Sequence, residues 1–246
     1  MSLSRRKLLR ATAATALVTG CADTRTSNVP VRRAQPAHPV RASAASELPP
    51  QVEHGPRTGR KVALTFHGQG TPELAETVLA AAEKADARLT VLAVGVWLDA
   101  YPRMARRVLD GGHELGNHTQ THGDIGAMPP AEAAAEIEEC ARRLERLTGS
   151  RGRWFRPSRA RLATDRVIRL ARRAGYPHVL SYDVDPLDYT DPGADAVRAA
   201  VARDAGPGSV VSLHLGHPGT AAALPGILDD LHRRGLRAVT TSELVS

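Results

Sequence analysis

The chain of 246 residues is long enough for one α/β domain with short extensions, and its hydrophobic share of 42% excludes a chain that is disordered throughout. Residues 1–20 hold four basic and no acidic residues, and residues 21–60 hold six basic and three acidic ones, which accounts for the whole net charge of +7. The net charge of residues 61–246 is therefore zero. A domain without a basic surface is not expected to bind nucleic acid.

The first 21 residues have the features of a bacterial export signal. Arg5 and Arg6 stand in a basic segment before a short apolar run over 11–18, and the pair resembles a twin-arginine signal. The run is shorter than the about 20 residues that a membrane-spanning helix needs. The Val-Thr-Gly-Cys sequence that follows resembles a lipobox, with Cys21 as the lipidated residue. We therefore expect an exported protein with a lipid anchor on the outer face of the cytoplasmic membrane.

Residues 22–60 are rich in Pro, Ser, Ala, Arg and Thr and show no apolar period, which predicts a flexible tether. The domain is then predicted to occupy residues 61–246. Cys140 is the only other cysteine, so lipidation of Cys21 would leave the domain without a disulfide.

Within the predicted domain, short apolar runs alternate with amphipathic stretches, which predicts parallel strands joined by helices in right-handed crossovers. Such a sheet either closes into a barrel or stays open. The predicted strands span 61–66, 88–95, 114–119, 153–157, 179–185, 209–215 and 237–241. The predicted helices span 72–85, 101–109, 130–147, 164–174, 195–205 and 224–234.

Polar residues stand at the carboxyl ends of the predicted strands, where parallel α/β folds place their functional sites. They are His67, His118, Arg156, Asp185 and His214. No glycine-rich phosphate loop follows the first strand, because Gly68-Gln69-Gly70 lacks the remaining spacing, so no nucleotide cofactor is expected.

His118 and His122 have a spacing of four residues, which would bring both imidazoles to one face if the loop takes a helical turn. Two neutral imidazoles suit zinc and similar metals. A chance pair remains an alternative in a chain with ten histidines. Arg156 could likewise cap a strand at the surface, and His214 could be a buried structural residue.

Taken in order, these residues resemble the motifs of the polysaccharide deacetylase family, and the resemblance covers residues 61–246. It implies a distorted (β/α) barrel with fewer than eight units. It also implies a metal-dependent hydrolase that removes N-acetyl or O-acetyl groups from a cell-wall polysaccharide such as peptidoglycan. The motifs are Thr65-Phe66, His118-x-x-x-His122, Arg156-Pro157, Asp185-x-x-Asp188-Tyr189 and Ser212-Leu213-His214.

The resemblance also implies a role for each of these residues. His118 and His122 would be ligands of a divalent metal ion, with zinc as our expectation. Arg156 would orient or electrostatically tune the catalytic group of the first motif. His214 would be the general acid. Asp188, with Asp185 as the second choice, would hold His214 in its protonated form.

The first motif departs from the family, whose Thr-Phe-Asp-Asp-Gly supplies a base and a metal ligand, because His67 and Gly68 replace both carboxylates. In one interpretation His67, His118 and His122 hold the metal, and Asp185 or metal-bound hydroxide is the base. In a second, His67 is the base and two histidines hold the metal. In a third, the domain is a pseudoenzyme that binds glycan without hydrolysing it.

The last motif departs as well. Leu-Gly-His follows His214 where the family more often has Asp, and this places a further imidazole, His217, near the site.

Overall fold

Parallel strands form the centre of the protein, for which a computed structural model describes residues 48–246. The strands are β1 Gln51–Val52, β2 Lys61–Gly68, β3 Thr90–Ala93, β4 Glu114–Asn117, β5 Val179–Leu180, β6 Val210–His214 and β7 Arg237–Ala238. One ladder has the order β4-β3-β2-β6, with β7 also paired to β2, and a second joins β1 to β5. Each of these pairings is parallel.

Strand β2 lies in the middle of the larger ladder, and every residue of it after Lys61 is buried. A strand covered on both faces is expected to be continuously apolar, as most of this one is. Isolated parallel bridges continue the pairing from Asn117 through Phe155 to Val179, and from Val184 back to Val211. The predicted fold class, an α/β fold with the strand arrangement of a distorted (β/α) barrel, is confirmed.

Helices surround the strands. They are α1 Pro72–Lys84, α2 Gly95–Ala100, α3 Arg103–Asp110, α4 Pro130–Thr148, α5 Asp165–Arg173, α6 Ala194–Asp204, α7 Pro218–Arg233 and α8 Thr241–Leu244, with a 3-10 turn at Asp188–Thr190. None of the helices within residues 48–246 combines the length and the apolar character that crossing a membrane requires. Cys140 is buried as a free thiol.

The helix α7 differs most from its prediction, since it begins six residues before the expected start at 224 and continues through Pro225. Proline removes a helical hydrogen bond, which argues for a helix that begins near it. Here Ala221, Leu224 and Leu228 are buried on the core-facing side of α7. This packing offsets the lost hydrogen bond.

Three predicted strands are wrong in extent. The run over 237–241 is a strand only at Arg237–Ala238, because Thr240 caps α8 and Thr241 begins it. Residues 153–157 form no strand and contribute only the bridges of Phe155, because Pro157 has no N–H with which to continue a ladder. The run over 179–185 is a strand only at Val179–Leu180.

The predicted boundary between tether and domain at residue 60 is too late. Gln51 and Val52 form β1 beside Val179 and Leu180, and Val52 is buried. Residues 22–47 of the predicted tether, the export signal and Cys21 lie outside the described residues.

Candidate active site

The site lies at the carboxyl ends of β2, β4 and β6. His67 and His214 are direct partners in the register of β2 and β6, and their ring centroids are 4.2 Å apart. His118 follows β4, and its ring centroid lies 4.2 Å from that of His67. Parallel strands bring their carboxyl ends to one edge, so the sequence positions alone dictate this convergence.

His67, His118 and His122 form a three-histidine cluster, in which one ring nitrogen of each lies within 4.8 Å of the others. The loop between His118 and His122 takes no helical turn, because Thr119 and His122 have left-handed backbone angles, with φ of 69° and 64°, yet the two ring centroids lie 4.9 Å apart. The Thr119 N–H donates to Asn117 Oδ1 at 2.8 Å, which holds the loop in this shape. Strained backbone of this kind often marks a functional site.

The cluster has the protonation state that a metal requires. His118 Nδ1–H donates to the Arg156 carbonyl oxygen at 3.0 Å, so the lone pair of His118 is on Nε2. Among residues 48–246, neither His118 Nε2 nor His67 Nδ1 has a hydrogen-bond partner, although both atoms are buried. Burial lowers the pKa of His67 and of His118 well below 6.5. Buried neutral imidazoles with free lone pairs fit a divalent metal ion.

His122 is the most exposed member of the cluster. Burial lowers its pKa, and the positive charge of Arg159 adds to the effect.

Beside the cluster, His214 is held by Asp188. His214 Nδ1–H donates to Asp188 Oδ1 at 2.7 Å, and the backbone N–H of His214 donates to Oδ2 at 2.8 Å. Thr220 Oγ1 donates to the same Oδ2 at 2.6 Å. Asp188 is therefore the carboxylate on His214, whereas Asp185 Oδ1 accepts from the Leu187 N–H at 3.0 Å.

The Arg156 side chain is fully buried and is not a surface cap. Its Nε donates to the Leu180 carbonyl at 3.3 Å and its Nη2 to the Ser181 carbonyl at 3.0 Å, while Nη1 has no partner within residues 48–246. Burial lowers the pKa of Arg156 to about 10, so the guanidinium is charged at neutral pH. This charge is one of the causes that lower the pKa of His67.

A cavity of about 360 Å³ opens in front of these residues. Its wall includes His67, His122, Asp185, His214 and His217, as well as the aromatic rings of Tyr182 and Tyr189.

Several of the residues at this cavity were not singled out by the sequence motifs. Arg159, Arg161 and Gln69 line its wall, and Thr220 supports the site from α7. His217 Nδ1–H donates to Asp191 Oδ1 at 2.8 Å. Ser212, which belongs to the last motif, stands two residues before His214 on the same face of β6, and its Oγ is 3.4 Å from His67 Nε2.

Comparison with known proteins agrees with this geometry. A family model described as polysaccharide deacetylase matches residues 54–179. A peptidoglycan-N-acetylglucosamine deacetylase from Bacillus cereus is 31% identical over 194 residues, which cover 77% of this chain and 90% of that protein. A chitooligosaccharide deacetylase from Sinorhizobium fredii is 29% identical over 196 residues, which cover 73% of this chain and 91% of that protein.

Among solved structures, a CE4 family pseudoenzyme from Bacillus anthracis is similar with a TM-score of 0.76 and 26% identity, over 81% of this chain and 70% of that one. A mutant of the same protein, with an equal TM-score, is described as having restored enzymatic activity. The fold therefore occurs both in named deacetylases and in a protein named as inactive.

Proposed function

Since the chain belongs to the polysaccharide deacetylase family, we propose that it is a metal-dependent hydrolase that removes N-acetyl, or alternatively O-acetyl, groups from a cell-wall polysaccharide such as peptidoglycan. The observation that carries this proposal is the juxtaposition of two kinds of histidine. Three neutral imidazoles lie together at one edge of the sheet. A fourth, His214, is hydrogen-bonded to a buried carboxylate only 4.2 Å from His67.

His67, His118 and His122 would hold the metal ion, and three histidines with an open position favour zinc. When bound, the ion polarises the acetyl carbonyl and makes an attacking water more acidic. The protein's own part is orientation. The carbonyl of Arg156 fixes the tautomer of His118. His67 would act as a metal ligand in place of a missing carboxylate, and not as a base.

Residues around the three-histidine cluster would carry out the proton transfers. With Nδ1 engaged by Asp188, His214 has Nε2 free to give a proton to the sugar amine as it leaves. The hydrogen bond to Asp188 fixes the orientation of the His214 ring for that transfer. Asp185 lines the same cavity and is the carboxylate that could accept the proton of the attacking water.

A glycan-binding pseudoenzyme is the second candidate function. The absence of both first-motif carboxylates favours it, as does the likeness to a protein named as a pseudoenzyme. Against it stand His118, His122 and the His214–Asp188 pair, which a decaying site has no reason to keep in this geometry.

Acetate release from peptidoglycan and from chitooligosaccharides separates the two candidates. We expect the zinc-loaded wild type to release acetate and His214→Ala to lose this activity while still binding glycan. His232 lies exposed on α7, so His232→Ala is a matched control that should behave as wild type. A wild type that binds glycan, retains no metal and releases no acetate would be the pseudoenzyme.

We also propose that the protein is exported and anchored by lipid to the outer face of the cytoplasmic membrane. The support is the sequence of residues 1–21, with its paired arginines and lipobox. Cys21→Ala should then release the protein from the membrane fraction or leave it unprocessed. A wild type found in the cytoplasm at its full mass would contradict this location.

A further inference from the structure

One cation in the cavity wall lacks a counter-charge. Arg159 and His122 line the same cavity, and the side chain of Arg159 is exposed there rather than packed in the core. Within residues 48–246, no carboxylate forms a hydrogen bond or an ion pair with Arg159. Its backbone has a left-handed φ of 54°, which is unfavourable for an arginine. A strained residue with a free charge at a functional cavity points to a ligand.

The neighbouring Arg161 shows the contrast. It also lines the cavity, but its Nη2 lies 3.2 Å from Glu53 Oε2 and its Nε donates to the Tyr182 carbonyl at 3.1 Å. The charge of Arg161 is therefore balanced within the protein, and its donors are engaged. Arg159 has neither kind of partner in the described part of the chain.

Among residues 48–246, the acidic side chains near the cavity have partners other than Arg159. Asp188 accepts three hydrogen bonds, and Asp191 is paired with His217. Asp185 is the one carboxylate in the cavity wall as far as residues 48–246 are concerned, and one of its oxygens accepts a backbone N–H. The buried Arg156 adds a further positive charge and has no carboxylate in hydrogen-bond contact. Arg159 is therefore a cation in a concave wall whose guanidinium remains available to an anionic ligand.

We infer that the sugar accepted by this cavity carries a carboxylate close to its acetylated amine, as muramic acid does on its lactyl ether, and that Arg159 binds this carboxylate. The inference rests on the proposed deacetylase function and deepens it. Arg159 and His122 line the same cavity, so a carboxylate on Arg159 would share that cavity with an acetyl group held at the three-histidine cluster. A guanidinium can bind a carboxylate through two parallel hydrogen bonds, which gives position as well as attraction. The rings of Tyr182 and Tyr189 offer flat faces for the sugar itself.

The test compares two forms of one substrate. Peptidoglycan glycan strands are freed of their peptides so that the lactyl carboxylate is exposed, and a second batch is converted to the neutral lactyl amide. Both forms have the same acetamido groups, and only the charge differs. We expect the wild type to show a kcat/KM for acetate release about ten- to a hundredfold higher on the carboxylate form, the range of one charge-assisted hydrogen-bond pair.

Arg159→Asn should bring the ratio of the two kcat/KM values close to one, because asparagine tolerates the left-handed backbone but has no charge. Arg153→Asn is the matched control. Arg153 lies exposed over the Trp154 ring, outside the cavity wall, and its loss should leave the ratio as in wild type. The inference about Arg159 would be wrong, and the proposed function unaffected, if the wild type releases acetate equally well from both forms. The same holds if the Arg159→Asn variant keeps the preference for the carboxylate form. Release of acetate from neither form would overturn the proposed function with it.

Discussion

Acid should destabilise the metal-free protein through its buried histidines. Burial lowers the pKa of His67 and of His118 well below the value of 6.5 that applies in the unfolded chain. Below pH 6.5 the unfolded chain therefore binds protons that the folded protein does not, and the free energy of unfolding falls as the pH falls. For each imidazole that stays neutral in the fold, the loss is about 1.4 kcal/mol per pH unit, or about 2 kcal/mol at pH 5.

Both residues together should reduce the free energy of unfolding by about 4 kcal/mol between pH 7.5 and pH 5, a large part of the roughly 5–15 kcal/mol of a typical domain. The assay is urea unfolding of the chelator-treated protein at the two pH values. His67→Gln should weaken the pH dependence and leave the part that arises from the lowered pKa values of His113, His118 and His122. His232→Gln, at an exposed position of α7, is the matched control. Added zinc should shift the loss of stability to lower pH, because the metal competes with protons for the same lone pairs. If the free energy of unfolding of the metal-free wild type is the same at pH 7.5 and pH 5, its buried histidines do not make the fold sensitive to acid.

Two further substitutions test the packing and the polar support of the site. A Cβ at Gly68 would lie 2.9 Å from both Ala93 Cα and Val91 Cγ1, so Gly68→Asp must push β3 away and should cost about 1–3 kcal/mol of stability in a thermal unfolding assay. A Gly68→Asp protein as stable as wild type would contradict this packing. Thr220→Val removes one of three hydrogen bonds to Asp188 and should lower kcat about tenfold without changing KM, whereas Thr220→Ser should restore it. Full activity of Thr220→Val would show that the hydroxyl does not position the carboxylate.

The strand ends of the site could be predicted from the sequence because a parallel strand has a simple signature. The apolar run before His67 and the run before His214 identify β2 and β6, and parallel geometry then places both imidazoles at one edge. The prediction of His67 as a partner of His118 and His122 follows from the same logic, and the structure brings the three rings together.

The remaining features depend on contacts between distant parts of the chain. Thr119 and His122 are not glycines, so the sequence does not indicate the left-handed backbone at these two positions. Thr220 contacts Asp188 from 32 positions away, which no local pattern reveals. Likewise, Gln51 and Val52 form a strand by pairing with β5, and no local pattern distinguishes this two-residue strand from the polar segment around it.

The zinc content of purified variants shows whether His67 replaces a carboxylate as the third ligand of a metal ion. We predict about one zinc per chain for the wild type, as a single three-histidine site requires. His67→Ala should lose the zinc together with the activity. His217→Ala, whose imidazole is paired with Asp191 outside the cluster, should keep it. A His67→Ala protein with full zinc occupancy would contradict the claim and remove His67 from the ligand set.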